Sequence, residues 1–142
     1  MPFYPGTTVL LPNLQTPTWA KVVLSASDFS AASTTATVNI DTYNAKVVMG
    51  VIVGVVTPFS GGAATEVQIT LGTDLTSASE LTSGCDVFAA AANDTQSTNT
   101  LQEVGLYAAE VITITATAVG DDLENLTDGQ IEVWLLLASL GA

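Results

Sequence analysis

The sequence predicts an all-β fold, an antiparallel β-sandwich, from three observations. Apolar and polar residues alternate with period two in several short segments, turn residues punctuate those segments, and one long excursion between Thr73 and Ala109 interrupts the strand pattern. An excursion of that length fits the crossover of a sandwich better than a hairpin meander. The 142-residue chain suits one hydrophobic core. We assign residues 18–142 to a single β-sandwich domain and residues 1–17 to an extended N-terminal arm.

The arm holds four of the five prolines (Pro2, Pro5, Pro12, Pro17) beside Phe3, Tyr4, Val9, Leu10, Leu11 and Leu14. Proline lacks the amide hydrogen that helices and central strands need, while these apolar side chains are unlike those of a solvated tail. The segment therefore reads as an arm that docks, either on its own domain or on a partner.

Three segments read as half-buried antiparallel strands. In Thr34 to Ile40, Ala36, Val38 and Ile40 oppose Thr35, Thr37 and Asn39; in Glu66 to Leu71, Val67, Ile69 and Leu71 oppose Glu66, Gln68 and Thr70. Farther on, Ile112, Ile114, Ala116 and Ala118 oppose Val111, Thr113, Thr115 and Thr117. Val47 to Val56 is apolar on both faces, as a central strand covered on both sides would be. Gln130 to Leu137 puts Ile131, Val133, Leu135 and Leu137 on one face, and Gln130, Glu132, Trp134 and Leu136 on the other. Trp134 and Leu136 on a nominal outer face predict a subunit interface.

Turns are expected at Asp41 to Asn44, at Pro58 with Gly61 and Gly62, and at Asp128 with Gly129. One or two short helical turns are expected inside the excursion. Ser77 and Glu80 have capping-box spacing there, and Asp86 is placed to cap a helix over Val87 to Ala92.

Composition narrows function. Hydrophobic residues make up 48% of the chain against 11% charged, with a mean hydropathy of +0.47, so more apolar surface is on offer than a small monomer usually hides. Neighbouring molecules are expected to cover some of it. A membrane span is not the explanation, because the longest apolar run is β-branched, contains Gly50 and Gly54, and falls short of the roughly 20 residues a spanning helix needs. Without a signal peptide after Met1, the protein reads as soluble and made in a cytoplasm. Lys21 and Lys46 face 14 carboxylates, for a net charge of -12, which argues against nucleic acid and anionic membranes as partners. Cys85 is the single cysteine, so no intrachain disulfide forms, and its default role is that of a small buried hydrophobe.

No enzyme is expected. The chain has neither histidine nor arginine, which removes Ser/His/Asp and Cys/His nucleophiles and imidazole-based zinc sites. Lys21 and Lys46 are each followed by valine, so no phosphate-binding loop ends in Gly-Lys-Ser/Thr. Carboxylate pairs are inevitable among 14 acids and carry no specificity for glycoside chemistry. No cofactor is expected. The oxygen-rich run Gly120 to Gly129 supplies weak calcium candidates in Asp121, Asp122, Glu124 and Asp128, though without EF-hand spacing. The sequons Asn93-Asp94-Thr95 and Asn125-Leu126-Thr127 read as loop residues.

Lys21 to Ser25, Ala45 to Val56, and Pro58 to Ala63 leading into Val67 to Gly72 are followed by Ile112 to Thr117 and Leu126 to Val133. In this order these stretches resemble the small jelly-roll virion proteins of tailed bacteriophages. The resemblance implies an eight-stranded jelly roll, often trimeric, acting as a capsid decoration (cement) protein or as a fibre-type β-sandwich. In the first role the chain binds the major capsid protein on the outer surface of the virion and stabilises the shell by bridging capsomers. Phe3, Tyr4, Leu10, Leu11 and Leu14 would then be the capsid-contact arm, and Trp134 with Leu136 the contact within the homotrimer. One alternative is a receptor- or carbohydrate-binding sandwich of a head or tail fibre, with Phe29, Tyr43, Phe59 and Phe88 as scattered candidate aromatics. Another is a head-completion or tail-joining protein, which would assemble into rings.

Overall fold

The computed structural model describes residues 17–40, 46–73, 82–88, 95–96 and 111–139. Among these residues there are eight strands: β1 (Thr18–Ser25), β2 (Thr35–Ile40), β3 (Lys46–Ser60), β4 (Glu66–Thr73), β5 (Thr82–Asp86), β6 (Thr95–Gln96), β7 (Ile112–Val119) and β8 (Asp128–Ser139). They form two four-stranded sheets, ordered β1-β8-β3-β6 and β2-β7-β4-β5. Every strand pairing within them is antiparallel.

The pairing has a simple logic. β1 pairs with β8, β2 with β7, β3 with β6 and β4 with β5, as in one long hairpin folded back on itself. Rolling that hairpin adds the β3–β8 and β4–β7 ladders, which bring each sheet to four strands. This is the eight-strand jelly-roll arrangement, in which the chain crosses between two facing sheets at every step except the β4–β5 hairpin.

Between the sheets lies the core. The alternation expected for β2, β4 and β8 is observed: Val67, Ile69 and Leu71, and Ile131, Val133, Leu135 and Leu137, face inward and are buried. Ile112, Ile114, Ala116 and Ala118 of β7 meet them, and Ala36, Val38 and Ile40 pack at the margin. Phe29 and Phe59 are fully enclosed, with ring centroids 6.3 Å apart. Burying each large side chain contributes on the order of 1.5–3 kcal/mol.

β3 departs from expectation in an informative way. Val48, Val51, Val53 and Val55 are buried, but Gly50, Ile52, Gly54 and Val56 lie on the outer face and are only half-covered. Among the described residues, the apolar run is thus buried on one face and half-buried on the other. Register shifts between Val48 and Gly50, and again between Val55 and Ser60, mark bulges in the β3–β8 ladder. Pro58 sits in the second of these, where a missing amide hydrogen is tolerated, so it lies within β3 rather than starting a turn. The chain turns instead at Gly61 (φ +125°) and Gly62 (φ +60°).

The expectations at Asp128 and Asp86 are also corrected. Asp128 and Gly129 open β8, and Asp41 to Asn44 lie outside the described residues. Asp86 closes β5 instead of capping a helix, and its Oδ1 accepts hydrogen bonds from the amides of Val67 (3.3 Å) and Phe88 (3.0 Å). Residues 89–92, Ser77 and Glu80 fall outside the described residues. The helical turns that are described lie elsewhere, as 3-10 turns at Ala26–Phe29 and Leu123–Asn125. The first is held by Asp28, whose Oδ2 accepts from the Ser25 amide at 2.7 Å.

Candidate subunit interface on the outer face of the first sheet

β1 is an edge strand whose Ala20, Val22 and Leu24 pack inward, so Trp19, Lys21 and Val23 face out. Register with β8 and β3 sets these side chains in rows across the sheet. Trp19 stands opposite Leu136, which stands opposite Gly50; Lys21 opposes Trp134, which opposes Ile52; Val23 opposes Glu132, which opposes Gly54. The two residues predicted as an interface, Trp134 and Leu136, therefore lie together at the middle of an outward apolar face. Trp19, Val23 and Met49 extend that face, with 48%, 45% and 38% of their surface exposed.

Glycine shapes the upper row. A Cβ at Gly50 would lie 3.4 Å from Cη2 of Trp19 and 3.3 Å from Cβ of Leu136. The Trp19 indole thus crosses over β8 and reaches β3, using the space a side chain at Gly50 would occupy. Between this indole and that of Trp134 lies an open slot of about 320 Å³, lined by Trp19, Ile52 and Trp134.

A small polar cluster fixes one wall. Trp134 donates Nε1–H to Glu132 Oε2 at 3.3 Å, Lys21 Nζ lies 3.7 Å from Glu132 Oε1, and the same ammonium stands 5.3 Å from the Trp134 ring centroid. With its N–H committed to Glu132, Trp134 offers the slot a carbon face. The cluster also pairs a cation with a carboxylate, so this patch is locally neutral in a chain of net charge -12.

The remaining predicted residues are dispersed. Asp121 is a loop clamp: Oδ2 accepts from the Ala63 amide (2.7 Å), and Oδ1 from the Asp122 amide (2.8 Å) and Asn125 Nδ2 (2.7 Å). Those three bonds hold its carboxyl below the usual carboxylate range, with the Ala63 amide the largest cause. Asp122 and Glu124 sit at the start of the second 3-10 turn, and Asp128 Oδ1 accepts from the Gly129 amide at 2.9 Å. Among the described residues, no group of three acidic, cysteine or histidine side chains is placed to share a metal ion. Phe29 and Phe59 belong to the core and offer no surface for a sugar, while Phe88 is half-buried. Phe3, Tyr4, Leu10, Leu11, Leu14 and Tyr43 lie outside the described residues, as does the side chain of Lys46.

Sequence reasoning missed Trp19 and Ile52. Both alternate faces of Thr18 to Ser25 carry apolar residues, so only the pairing of Trp19 with Leu136 reveals which face is outward.

No family model matches the chain, and no curated protein matches it. Among solved structures, a chain of the cyanophage Pam1 capsid asymmetric unit is similar, at 16% sequence identity and a TM-score of 0.53, over 89% of this chain and 85% of that one. At that identity the likeness is one of fold, and it spans both sheets described above.

Proposed function

We propose that the chain is a structural virion protein of a tailed bacteriophage, a capsid decoration (cement) protein that binds the outer shell as a trimer and has no catalytic role. The observation that carries this reading is the shared fold with a chain of a phage capsid asymmetric unit over most of both lengths. The apolar outer face of β1, β8 and β3 supports it, because a face bearing two tryptophans gains most from being covered by another molecule. A protein that bridges capsomers adds interface that must be lost before the shell opens, and so stabilises the closed particle by mass action. In this reading Trp134 and Leu136 are buried between copies, and Phe3 and Tyr4 at the tip of the arm contact the major capsid protein.

The test is made on particles of the phage that encodes the chain, assembled with and without it. Shells lacking the protein should show missing density on their outer surface and should release DNA at a lower temperature. Adding the purified protein back should restore both. Intact shells of unchanged thermal stability would overturn the reading.

A further inference from the structure

We propose that the slot between Trp19 and Trp134 receives the uncharged, proline-bearing arm of a second copy of this chain, with Leu10-Leu11-Pro12 lying across Ile52. The slot has the chemistry for such a segment. Among the described residues, two indoles and one aliphatic side chain line it, the one indole N–H described at its edge is bonded to Glu132, and its volume of about 320 Å³ suits a short stretch of peptide. Proline rings dock on aromatic grooves with little loss of conformational freedom, since their backbone is already restricted.

The arm is the complementary partner within the same sequence. Residues 1–17 contain no Asp, Glu, Lys or Arg in a chain of 16 charged residues, yet hold four prolines and three leucines. An uncharged apolar segment meeting a patch neutralised by Lys21 and Glu132 avoids the repulsion that two copies of net charge -12 meet elsewhere. Place matters as well. The described chain starts at Pro17, two residues before Trp19, so the arm departs beside the slot. It departs from the end of an edge strand, past the Trp19–Leu136–Gly50 row and away from the Lys21–Trp134–Ile52 row. Entering its own slot requires a reversal, and proline biases the residue before it towards extended backbone, so Pro17 favours continuation to a neighbour. The five residue-to-residue steps from Pro12 to Pro17 span up to about 17 Å when extended, which is the distance over which Leu10-Leu11-Pro12 can reach a neighbouring slot. This inference does not depend on the capsid reading, because it concerns the protein alone in solution.

Trp19 and Trp134 are the only tryptophans of the chain, so intrinsic fluorescence reports on the slot directly. The experiment measures emission and light-scattering mass of the full chain and of two full-length variants, Pro12→Asp and Ile52→Glu, across a dilution series. The expected result is an oligomer with blue-shifted emission that dissociates on dilution, with the shift and the mass falling together. Each variant should weaken association tenfold or more, while circular dichroism still shows β-structure. A synthetic peptide of residues 1–17 should restore the blue shift in Pro12→Asp but not in Ile52→Glu. A monomer whose blue shift is independent of concentration would assign the slot to the chain's own arm and overturn the proposal. So would an oligomer whose mass and emission are indifferent to Pro12→Asp.

Discussion

Lys21 and Trp134, directly opposite one another on β1 and β8, are joined through space by the Lys21 ammonium standing over the Trp134 ring at 5.3 Å. Glu132 completes the arrangement by accepting from the indole and pairing with the ammonium. The lysine is 44% exposed and the glutamate 30%, so solvent screens the attraction heavily. Lys21→Met should therefore change the unfolding free energy by less than about 1 kcal/mol, and raising the salt should shrink the difference further. Urea melts at low and high ionic strength check this. A loss of several kcal/mol would mean that the cluster is a structural keystone rather than a surface feature.

The Asp121 clamp predicts a specific acid response. Its folded pKa is depressed, first by the Ala63 amide, then by the Asn125 side chain and the Asp122 amide. The stabilisation is present above the unfolded value of roughly 3.9 and is lost as the pH falls through the lower folded value. Asp121→Asn should be less stable than the native chain at pH 7 and should lose less on acidification below about pH 4, so the two urea midpoints converge. Parallel pH profiles would show that the three hydrogen bonds do not distinguish the charged carboxylate from the amide.

How far this molecule could be read from its residues depends on what each segment records locally. Strand β8 was legible because Ile131, Val133, Leu135 and Leu137 keep strict period two, and the tryptophan out of phase with them stood out as misplaced. Strand β5 was not legible. Thr82 to Asp86 is short, contains Gly84, and owes its conformation to pairing with β4 through Ile69↔Cys85 and Gln68↔Asp86, which no local pattern encodes. Asp86 consequently resembled a helix cap, while the Ser25–Asp28 bond that does hold a helical turn went unnoticed. Half of the candidate site was equally hidden. Trp134 betrays itself by phase, but Trp19 and Ile52 join it only through register across three strands.

Gly129 and Phe59 form a second pair whose coupling is measurable. Gly129 has φ +146°, and a Cβ there would run into the Phe59 ring. Phe59 is fully buried, so Phe59→Ala should cost about 3–5 kcal/mol through lost contacts and a cavity. Gly129→Ala should cost about 1–3 kcal/mol from strain and overpacking together. The double variant should be less destabilised than the sum of the two by on the order of 1 kcal/mol, because removing the ring relieves the collision. Urea melts of the four proteins close the cycle. Strict additivity would assign the whole Gly129 effect to backbone conformation.

Cys85 is buried in the core, and that burial, followed by the neighbouring Asp86 carboxylate, pushes its thiol up to about 11. Only the thiolate attacks disulfide reagents, and an ordinary cysteine has a pKa near 8.5, so at pH 8 the native thiolate fraction is reduced roughly 100-fold or more. Shielding by the sheet lowers access further. The native protein should therefore react with an aromatic disulfide reagent at pH 8 at least about 100-fold more slowly than the urea-unfolded chain, with one thiol released per chain on unfolding. Asp86→Asn should leave most of that protection in place, since burial is the larger cause, although the variant also trades a carboxylate oxygen that accepts from the Val67 and Phe88 amides. Rapid labelling of the native chain would show that the β4–β5 edge opens on its own, ahead of the rest of the sandwich.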